Sequence, residues 1–253
     1  MNTSYSISHM SPVEWSARCQ LAALYRLIAY YRMTDLIDTH ISLRVPDEPC
    51  HFLINRYGIP FEKMTASNLV KIDHDGRIVE SYDQGKKVNA AGFVIHSAIH
   101  HARSDVNCII HTHTADGVAV SAQKHGLLPL SQHALKFYEQ IGYHNYEGIA
   151  LSLDEQQRLV SDLGTHRCMI LRNHGLLATG DTLARAFHEI YFLERACQIQ
   201  IKAMSSSELN LPDIEVCRHT AAQFNRKEVE PIIQDAWQAA LSLIEHQQDE
   251  YCA

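Results

Sequence analysis

Cys108-Ile109-Ile110-His111-Thr112-His113-Thr114 ends an apolar run with two histidines one residue apart. Such a run is typical of a buried β-strand, in which alternate side chains point to the same face. His111 and His113 can therefore converge on one ion. A third histidine, His174, follows 61 positions after His113 at the end of another apolar run, residues 168–171. Three imidazoles with an open coordination position are typical of a catalytic zinc site.

A His-x-His pair on its own is more often a solvated strand face than a metal site, and this chain has 17 histidines. The second motif, Arg172-Asn173-His174-Gly175, changes that balance because glycine permits a sharp reversal between two strands. We therefore predict that His111, His113 and His174 bind a divalent metal ion. Zinc is preferred on ligand type, while manganese, iron and nickel remain open.

The length and composition of the chain limit the classes of protein to which it can belong. With 253 residues the chain can form one large α/β domain. A formal charge of −7 without a cluster of Lys and Arg argues against a nucleic-acid partner. The seven cysteines include no Cys-x-x-Cys pair, which favours reduced thiols in a cytoplasmic protein. We expect neither a signal peptide nor a membrane span.

Hydrophobic spacing predicts a first helix from Ser11 to Met33, with Ser11 as its cap. Residues 39–45 and 51–55 form one predicted hairpin, and residues 70–73 pair with 78–79 around Asp75-Gly76 in a second. A turn containing Gly92 precedes a helix at 93–102, on which His100 and His101 are expected to be exposed.

The longest predicted helix covers residues 181–202, and its Glu194 and Arg195 are expected to face solvent. Beyond it lies a tail with a last amphipathic helix near 230–246. We divide the chain into a domain at residues 1–204 and a helical tail at 205–253. The tail is expected to pack on the domain or on a neighbouring subunit, as a lid or a subunit contact.

Several separated motifs occur in one order, at residues 53–58, 65–71, 91–99, 111–113 and 172–176. From about residue 11 to residue 202 this order resembles the class II aldolase/adducin family. The resemblance implies a three-layer α/β/α fold around a mainly antiparallel sheet. It also implies a homotetramer with active sites between subunits, and metal ligation by His111, His113 and His174.

The chain departs from the sugar-phosphate aldolases of that family at two places. Their acid/base glutamate, four residues before the position of His96, is Gly92 here, and glycine cannot transfer protons. The paired serines that bind a substrate phosphate are also missing, and the matching stretches are Asn55-Arg56-Tyr57-Gly58, Thr39-His40 and Asn89-Ala90-Ala91. These departures, with the motif at residues 88–93, bring the chain closer to the adducin-like branch.

The sequence favours a metal-dependent lyase acting on a small hydroxy- or keto-compound, and decarboxylation fits better than aldol cleavage because it needs no base to begin. The alternative is a non-catalytic, adducin-like binding or structural module. Asn55 and Arg56 are candidates for substrate binding, although Arg56 is at least as typical of an exposed loop.

Three tyrosines are candidate proton donors: Tyr143, Tyr146 and Tyr251. Tyr251 resembles a tail tyrosine that some family enzymes contribute from a neighbouring subunit. A disordered chain end is its more common interpretation.

Overall fold

The computed structural model describes residues 10–80, 83–148, 153–205 and 208–253. Its centre is a seven-stranded sheet in the order β3-β2-β1-β4-β7-β6-β5. The strands are β1 (His40–Val45), β2 (Glu48–Ile54), β3 (Val70–Asp73), β4 (Cys108–Thr112), β5 (Ile141–His144), β6 (Cys168–Leu171) and β7 (Gly175–Gly180). Neighbouring strands are antiparallel except β5 and β6. The predicted, mainly antiparallel sheet is confirmed.

Helices occur throughout the described part of the chain. They are α1 (Pro12–Tyr30), α2 (Ala90–Ala102), α3 (Ala115–Ser121), α4 (Gln132–Leu135), α5 (Leu153–Leu163), α6 (Leu183–Ala203), α7 (Ile214–Phe224), α8 (Val229–Ser242) and α9 (Gln248–Tyr251). Short 3₁₀ helices occupy Phe61–Lys63, Ala66–Asn68 and Glu245–Gln247. No described helix combines the length and the apolar character that crossing a bilayer requires.

Alternation along the strands separates two cores. In β4, Cys108 and Ile110 join the large core that holds α1, α6 and α8, while Ile109 joins the core that holds α2 and α5. This is the period of two that a strand buried on both faces must show. Helices therefore cover both faces of the sheet, and the predicted α/β/α layering is confirmed.

Strand pairing brings distant residues into register near the end of β4. His40 lies opposite His111, and Ser42 lies opposite Ile109. The alternation that sends Ile41 and Leu43 into the α1 core turns His40 and Ser42 towards α2. A polar row on β1 thus lies beside the predicted metal ligands.

Within residues 70–102, three local predictions differ from the structure. The first hairpin forms as expected, but the second is reduced to a single bridge between Ile72 and Ile78. Gly92 lies inside α2 and not in a turn before it. His100 is buried, because the α2 face that carries it packs on the sheet, whereas His101 is exposed as expected.

An ionic network joins α1 to β3. Lys71 lies 3.0 Å from Glu14, 2.7 Å from Glu48 and 3.2 Å from Glu80. Arg18, which is fully buried, pairs with Glu14 at 2.9 Å. Lys71, the last residue of the motif at residues 65–71, therefore has a structural role, because its ammonium group pairs with three carboxylates.

The last part of the chain packs on the large core. Ile233 and Trp237 of α8 are buried there, and Trp237 contacts the Phe187 ring of α6 at 5.6 Å between centroids. These contacts are those of a tail docked on its own domain. The division at residue 204 itself stays a prediction.

Candidate metal centre

The structure brings the three predicted ligands together at one edge of the sheet. The distances between their Nε2 atoms are 2.7 Å for His111 and His113, 3.3 Å for His111 and His174, and 3.0 Å for His113 and His174. Nitrogen ligands at the ~2.0–2.1 Å bond lengths of tetrahedral zinc stand roughly 3.3–3.4 Å apart. The three imidazoles therefore have nearly the spacing that a bound ion requires.

Two neighbouring groups orient the first two imidazoles. Nδ1 of His111 donates to the Leu176 carbonyl at 2.9 Å, and Nδ1 of His113 lies 3.2 Å from Oδ2 of Asp35. A hydrogen on Nδ1 leaves the lone pair of Nε2 free for a metal. Both contacts thus select the tautomer that a ligand needs.

Burial keeps His111 and His174 neutral. It lowers the pKa of His111 well below its usual range, with further lowering by His40, His113 and His174. Burial also lowers the pKa of His174 to about 4, with His113 and His144 acting in the same direction. Neutral imidazoles are the form that binds a metal ion.

The donor set fits a divalent cation. Lone pairs on adjacent Nε2 atoms at 2.7 Å repel one another unless a cation lies between them. Among the described residues, these three histidines are the one group of at least three side chains whose ligand atoms cluster in this way. Their role as ligands stays a prediction that this geometry supports.

A tight turn places His174. Asn173 has a φ of 57°, in the left-handed region, and Gly175 begins β7 directly after His174. A Cβ at position 175 would overlap the Thr112 carbonyl and come within 3.1 Å of His113 Cδ2. The glycine is therefore required because the two strands that carry the ligands approach each other there.

A buried carboxylate, which the sequence analysis placed in solvent, anchors the His-x-His segment. Glu194 of α6 is 1% exposed and accepts hydrogen bonds from Thr112 Oγ1 at 2.9 Å and from Thr114 Oγ1 at 2.6 Å. Burial raises its pKa to about 7, against the effect of the two threonine hydroxyls. Glu194 lies four residues after Ile190 and three before Cys197, both of which are buried, and this helical spacing could have predicted that Glu194 is buried too.

His40, named from the sequence only within a stretch that matches the phosphate-binding residues of the aldolases, lies beside the histidine cluster. Its ring lies 4.9 Å from that of His111, between centroids. A Cβ built on Gly92 would lie 2.5 Å from Cδ2 of His40 and 2.9 Å from its Nε2. His40 therefore fills the space that a side chain at position 92 would need. The alternation of residues 39–45 could have predicted that His40 lies on the face opposite to Ile41 and Leu43.

The candidate substrate-binding residues differ in their surroundings. Asn55 is buried, and its Oδ1 accepts a hydrogen bond from Tyr25 Oη at 3.0 Å. Tyr25 Oη also contacts the Ile41 carbonyl, so this tyrosine ties β1 to the end of β2. Arg56 is exposed.

One of the candidate proton donors, Tyr146, lies beside the histidine cluster. Its ring is exposed and stands 6.4 Å from that of His174, between centroids. Tyr143 accepts a hydrogen bond from the Leu127 amide at 3.1 Å beneath the Arg172 guanidinium. Tyr251 is buried in the large core, with Arg26 6.0 Å from its ring centroid.

Comparisons with known proteins agree with this fold. The family model "Class II Aldolase and Adducin N-terminal domain" matches residues 19–201. An aldolase II superfamily protein from Pseudomonas syringae has a crystal structure that superposes with a TM-score of 0.93 at 49% identity, covering 98% of this chain and 100% of that one.

Two further relatives extend the comparison in different directions. L-fuculose 1-phosphate aldolase from Glaciozyma antarctica PI12 superposes with a TM-score of 0.83 at 28% identity, covering 94% of this chain and 92% of that one. Alpha-adducin from Rattus norvegicus is 44% identical over 191 residues, which are 75% of this chain and 26% of the adducin. The predicted resemblance is confirmed: this chain belongs to the class II aldolase and adducin family.

Proposed function

We propose that this chain is a metal-dependent lyase that cleaves a carbon–carbon bond in a small hydroxy- or keto-compound. The observation that carries the proposal is the convergence of three imidazoles, with Nε2 atoms 2.7 to 3.3 Å apart. A purely structural module has no need for such a cluster of mutually repelling lone pairs, of which that on His111 is fully buried.

The family fold and the histidine geometry support a divalent ion, with zinc preferred on ligand type. Such an ion, when bound, would supply the electron sink for a developing enolate. The protein itself holds the ligands in place: Leu176 and Asp35 select their tautomers, and Glu194 anchors the strand end between them.

Decarboxylation is our preferred reaction because Gly92 carries no acid/base group. In this step the bond to the carboxylate carbon breaks, its electron pair enters the enolate, and carbon dioxide leaves. A proton must then be returned to carbon. Tyr146 is the donor that we favour, because its exposed ring lies beside His174, while Tyr251 is buried against α1 in its own chain.

Arg56 is proposed as the partner of a substrate carboxylate, because its guanidinium is exposed and matches a carboxylate through two parallel hydrogen bonds. Asn55 stays a weaker proposal, since its Oδ1 is already used by Tyr25. The substrate is a small molecule in either case.

The alternative function is a non-catalytic binding or structural module. The 44% identity to alpha-adducin over three quarters of this chain favours it, and Gly92 is consistent with it. The alternative and the lyase make opposite predictions about turnover, so activity measurements separate them.

The first test is metal analysis of the purified protein. We expect about one divalent ion per chain in the wild type, and loss of that ion in His111→Ala and His174→Ala. His101→Ala is the matched control, because His101 is an exposed histidine outside the cluster. A wild-type protein that holds no stoichiometric ion after zinc loading would contradict the lyase.

The second test is turnover with a panel of keto acids, hydroxy acids and sugar phosphates. We expect metal-dependent release of carbon dioxide from at least one acid, and a loss of about 10²-fold or more in kcat for Tyr146→Phe, the proposed donor. Absence of turnover across the panel, with the metal bound, would favour the adducin-like module.

We also propose a homotetramer in a reducing, cytoplasmic environment. An apolar groove of about 380 Å³ between α6 and α8, lined by residues such as Phe187, Tyr191 and Trp237, supports a subunit contact. All seven cysteines are free. Light scattering during size exclusion should give four times the mass of one chain, and a monomer at micromolar concentration would contradict this assembly.

A further inference from the structure

A polar cavity of about 280 Å³ lies at the opposite end of the strands from the predicted metal centre. Its walls come from the residue before β6, from the start of α6 and from the connection between α7 and α8. β7 begins directly after His174 and ends directly before Asp181, which lines the cavity. A strand of six residues spans roughly 20 Å, so the cavity is separate from the histidine cluster.

The cavity is basic, although the protein as a whole is acidic. Its charged lining consists of four cations and two carboxylates: Arg167, Arg185, Arg226, Lys227, Asp181 and Glu230. Four minus two gives the lining a formal charge of +2, whereas the whole chain carries −7. A cavity that concentrates positive charge in this way attracts an anion.

Three of the four cations are available to a ligand. Arg167, Arg226 and Lys227 are exposed, and their side chains form no hydrogen bond or ion pair with any residue that the structure describes. Hydrogen bonding to Arg103 lowers the pKa of Asp105, and the charge of Arg167 adds a smaller effect without pairing. The positive charge of this lining is therefore largely uncompensated.

The fourth cation, Arg185, is the buried member of the lining, with a side chain that is 10% exposed. One of its terminal nitrogens contacts Glu230, and the other lies 3.8 Å from Oε1 of Glu189, which pairs more closely with Lys136 at 2.6 Å. The Nε of Arg185 is buried and has no hydrogen-bond partner in the described part of the chain. A buried donor of this kind costs free energy until a ligand or a water molecule accepts its hydrogen.

Two long helices begin at the cavity, α6 with 21 residues and α8 with 14. The N-terminal end of a helix carries partial positive charge and amide hydrogens that favour an anion. Thr182 caps α6 through its side chain, whereas α8 starts without a side-chain cap from the described residues. The end of α7 brings the opposite partial charge, but Asn225 donates to one of its carbonyls, that of Ala221, at 2.9 Å.

Size and charge together define the class of ligand. A volume of about 280 Å³ is just below the range of about 300–1,000 Å³ that is typical of small-molecule sites. A phosphate monoester carries a charge of roughly −2 near pH 7, and guanidinium groups match its oxygens through parallel hydrogen bonds. The net charge of −7 would repel a nucleic-acid backbone.

We propose that this cavity binds a small phosphorylated compound, with the phosphate held by the four cationic side chains of the lining and by the start of α8. Binding there is independent of the predicted metal centre and of the lyase reaction, because no residue of the lining belongs to either. Asp181 and Glu230 limit the affinity, since their carboxylates repel the phosphate.

Isothermal titration calorimetry of the full chain tests the cavity, with glycerol 3-phosphate as the probe and glycerol as the uncharged reference. We expect saturable binding of glycerol 3-phosphate and no binding of glycerol. Arg226→Gln and Lys227→Gln should each weaken binding about tenfold, as expected for one lost charge-assisted hydrogen bond. Both residues are exposed, so Tm should stay unchanged in these variants.

Two controls locate the bound probe. Lys202→Gln, at an exposed position outside the cavity, should bind glycerol 3-phosphate as the wild type does. His174→Ala should also keep wild-type affinity, which separates this cavity from the metal centre. Loss of binding in His174→Ala, or equal weakening in Lys202→Gln and the two cavity variants, would overturn the proposal.

Asp181→Asn provides a test of opposite sign. Removing this carboxylate should tighten the binding of glycerol 3-phosphate about threefold or more at low salt, because one repulsive charge is lost. Damage to the fold would not produce tighter binding. Unchanged or weaker binding in Asp181→Asn would contradict a phosphate bound within the lining.

Succinate, a dicarboxylate of similar charge, separates phosphate recognition from a general attraction of dianions. Glycerol 3-phosphate should bind at least tenfold more tightly, because a phosphate presents its charge and three acceptor oxygens at one centre to the clustered cations. Equal affinities for the two compounds would overturn the assignment to phosphate.

Discussion

The tautomer of each histidine is decided by the group behind it. His111 donates to a backbone carbonyl and His113 faces a carboxylate, so both direct a lone pair at the same point. His40 is oriented instead by another imidazole. These three histidines have the same side chain, and their different orientations arise from these partners.

Glu194 should make stability depend on pH. Burial raises its pKa to about 7 from the 4.5 of an exposed glutamate, despite the Thr112 and Thr114 hydroxyls, with Asp116 raising and Arg195 lowering it. Between these values the unfolded chain loses the proton before the folded one does, so this residue makes stability fall as pH rises from about 4.5 to about 7. The full effect is on the order of 3 kcal/mol.

Glu194→Gln cannot ionise and should escape this loss. Relative to the wild type, its free energy of unfolding in urea should increase between pH 5 and pH 8. Glu62→Gln, at an exposed position, is the control. A difference between Glu194→Gln and the wild type that stays constant over this pH range would show that Glu194 is already ionised at pH 5.

At the scale of elements, α1 and β3 are connected by charge as well as by apolar packing. Burial lowers the pKa of Lys71, but hydrogen bonds to Glu48 and Glu14 outweigh it and the pKa is raised overall. Lys71 therefore stays charged and compensates Glu14, which is itself buried. The network holds the start of α1 against the edge of the sheet.

Lys71→Met should be strongly destabilising, because it leaves Glu14 with less compensation in a buried position. We expect a loss of about 3–5 kcal/mol in the free energy of unfolding, measured with urea. Glu14→Gln in the same chain should recover part of it, and Lys63→Met at an exposed position should have little effect. A loss below about 1 kcal/mol would mean that solvent already screens the network.

Strand periodicity was sufficient to predict that His111 and His113 lie close together, whereas the sequence did not predict which sides of α2 and α6 are buried. The convergence of His111 and His113 follows from alternation in β4 and the residue after it, which backbone geometry imposes. His100 and Glu194 were expected in solvent and are buried. Both helices have apolar residues on more than one side, and the side that meets the sheet depends on where the neighbouring strands lie.

At the scale of the whole molecule, the site joins several separate parts of the chain. His111 comes from β4, His113 from the residue directly after it, His174 from the turn before β7, and Asp35 from the segment after α1. A metal ion bound there would bridge these parts. Binding to the folded state alone raises stability by about 2.7 kcal/mol at a free ligand concentration of 100 Kd.

Zinc should therefore raise the thermal stability of the metal-free protein by about 5–10 °C at that concentration. A chelator should reverse the shift. His174→Ala should show little or no shift in scanning calorimetry, whereas His101→Ala should respond as the wild type does. An equal response in His174→Ala would place the zinc elsewhere in the protein.

The amino-acid sequence was enough to predict the grouping of three histidines, because strand alternation and turn chemistry act over a few residues. The layered fold and its antiparallel sheet were implied by the resemblance of its motifs to a known family. Only the folded chain shows that His40 fills the space beside Gly92, that buried His100 contacts Ser42, and that Glu194 accepts a hydrogen bond from Thr112 between two of the predicted ligands. These contacts join residues 52 to 82 positions apart. They depend on strand register and helix packing, which no local pattern specifies.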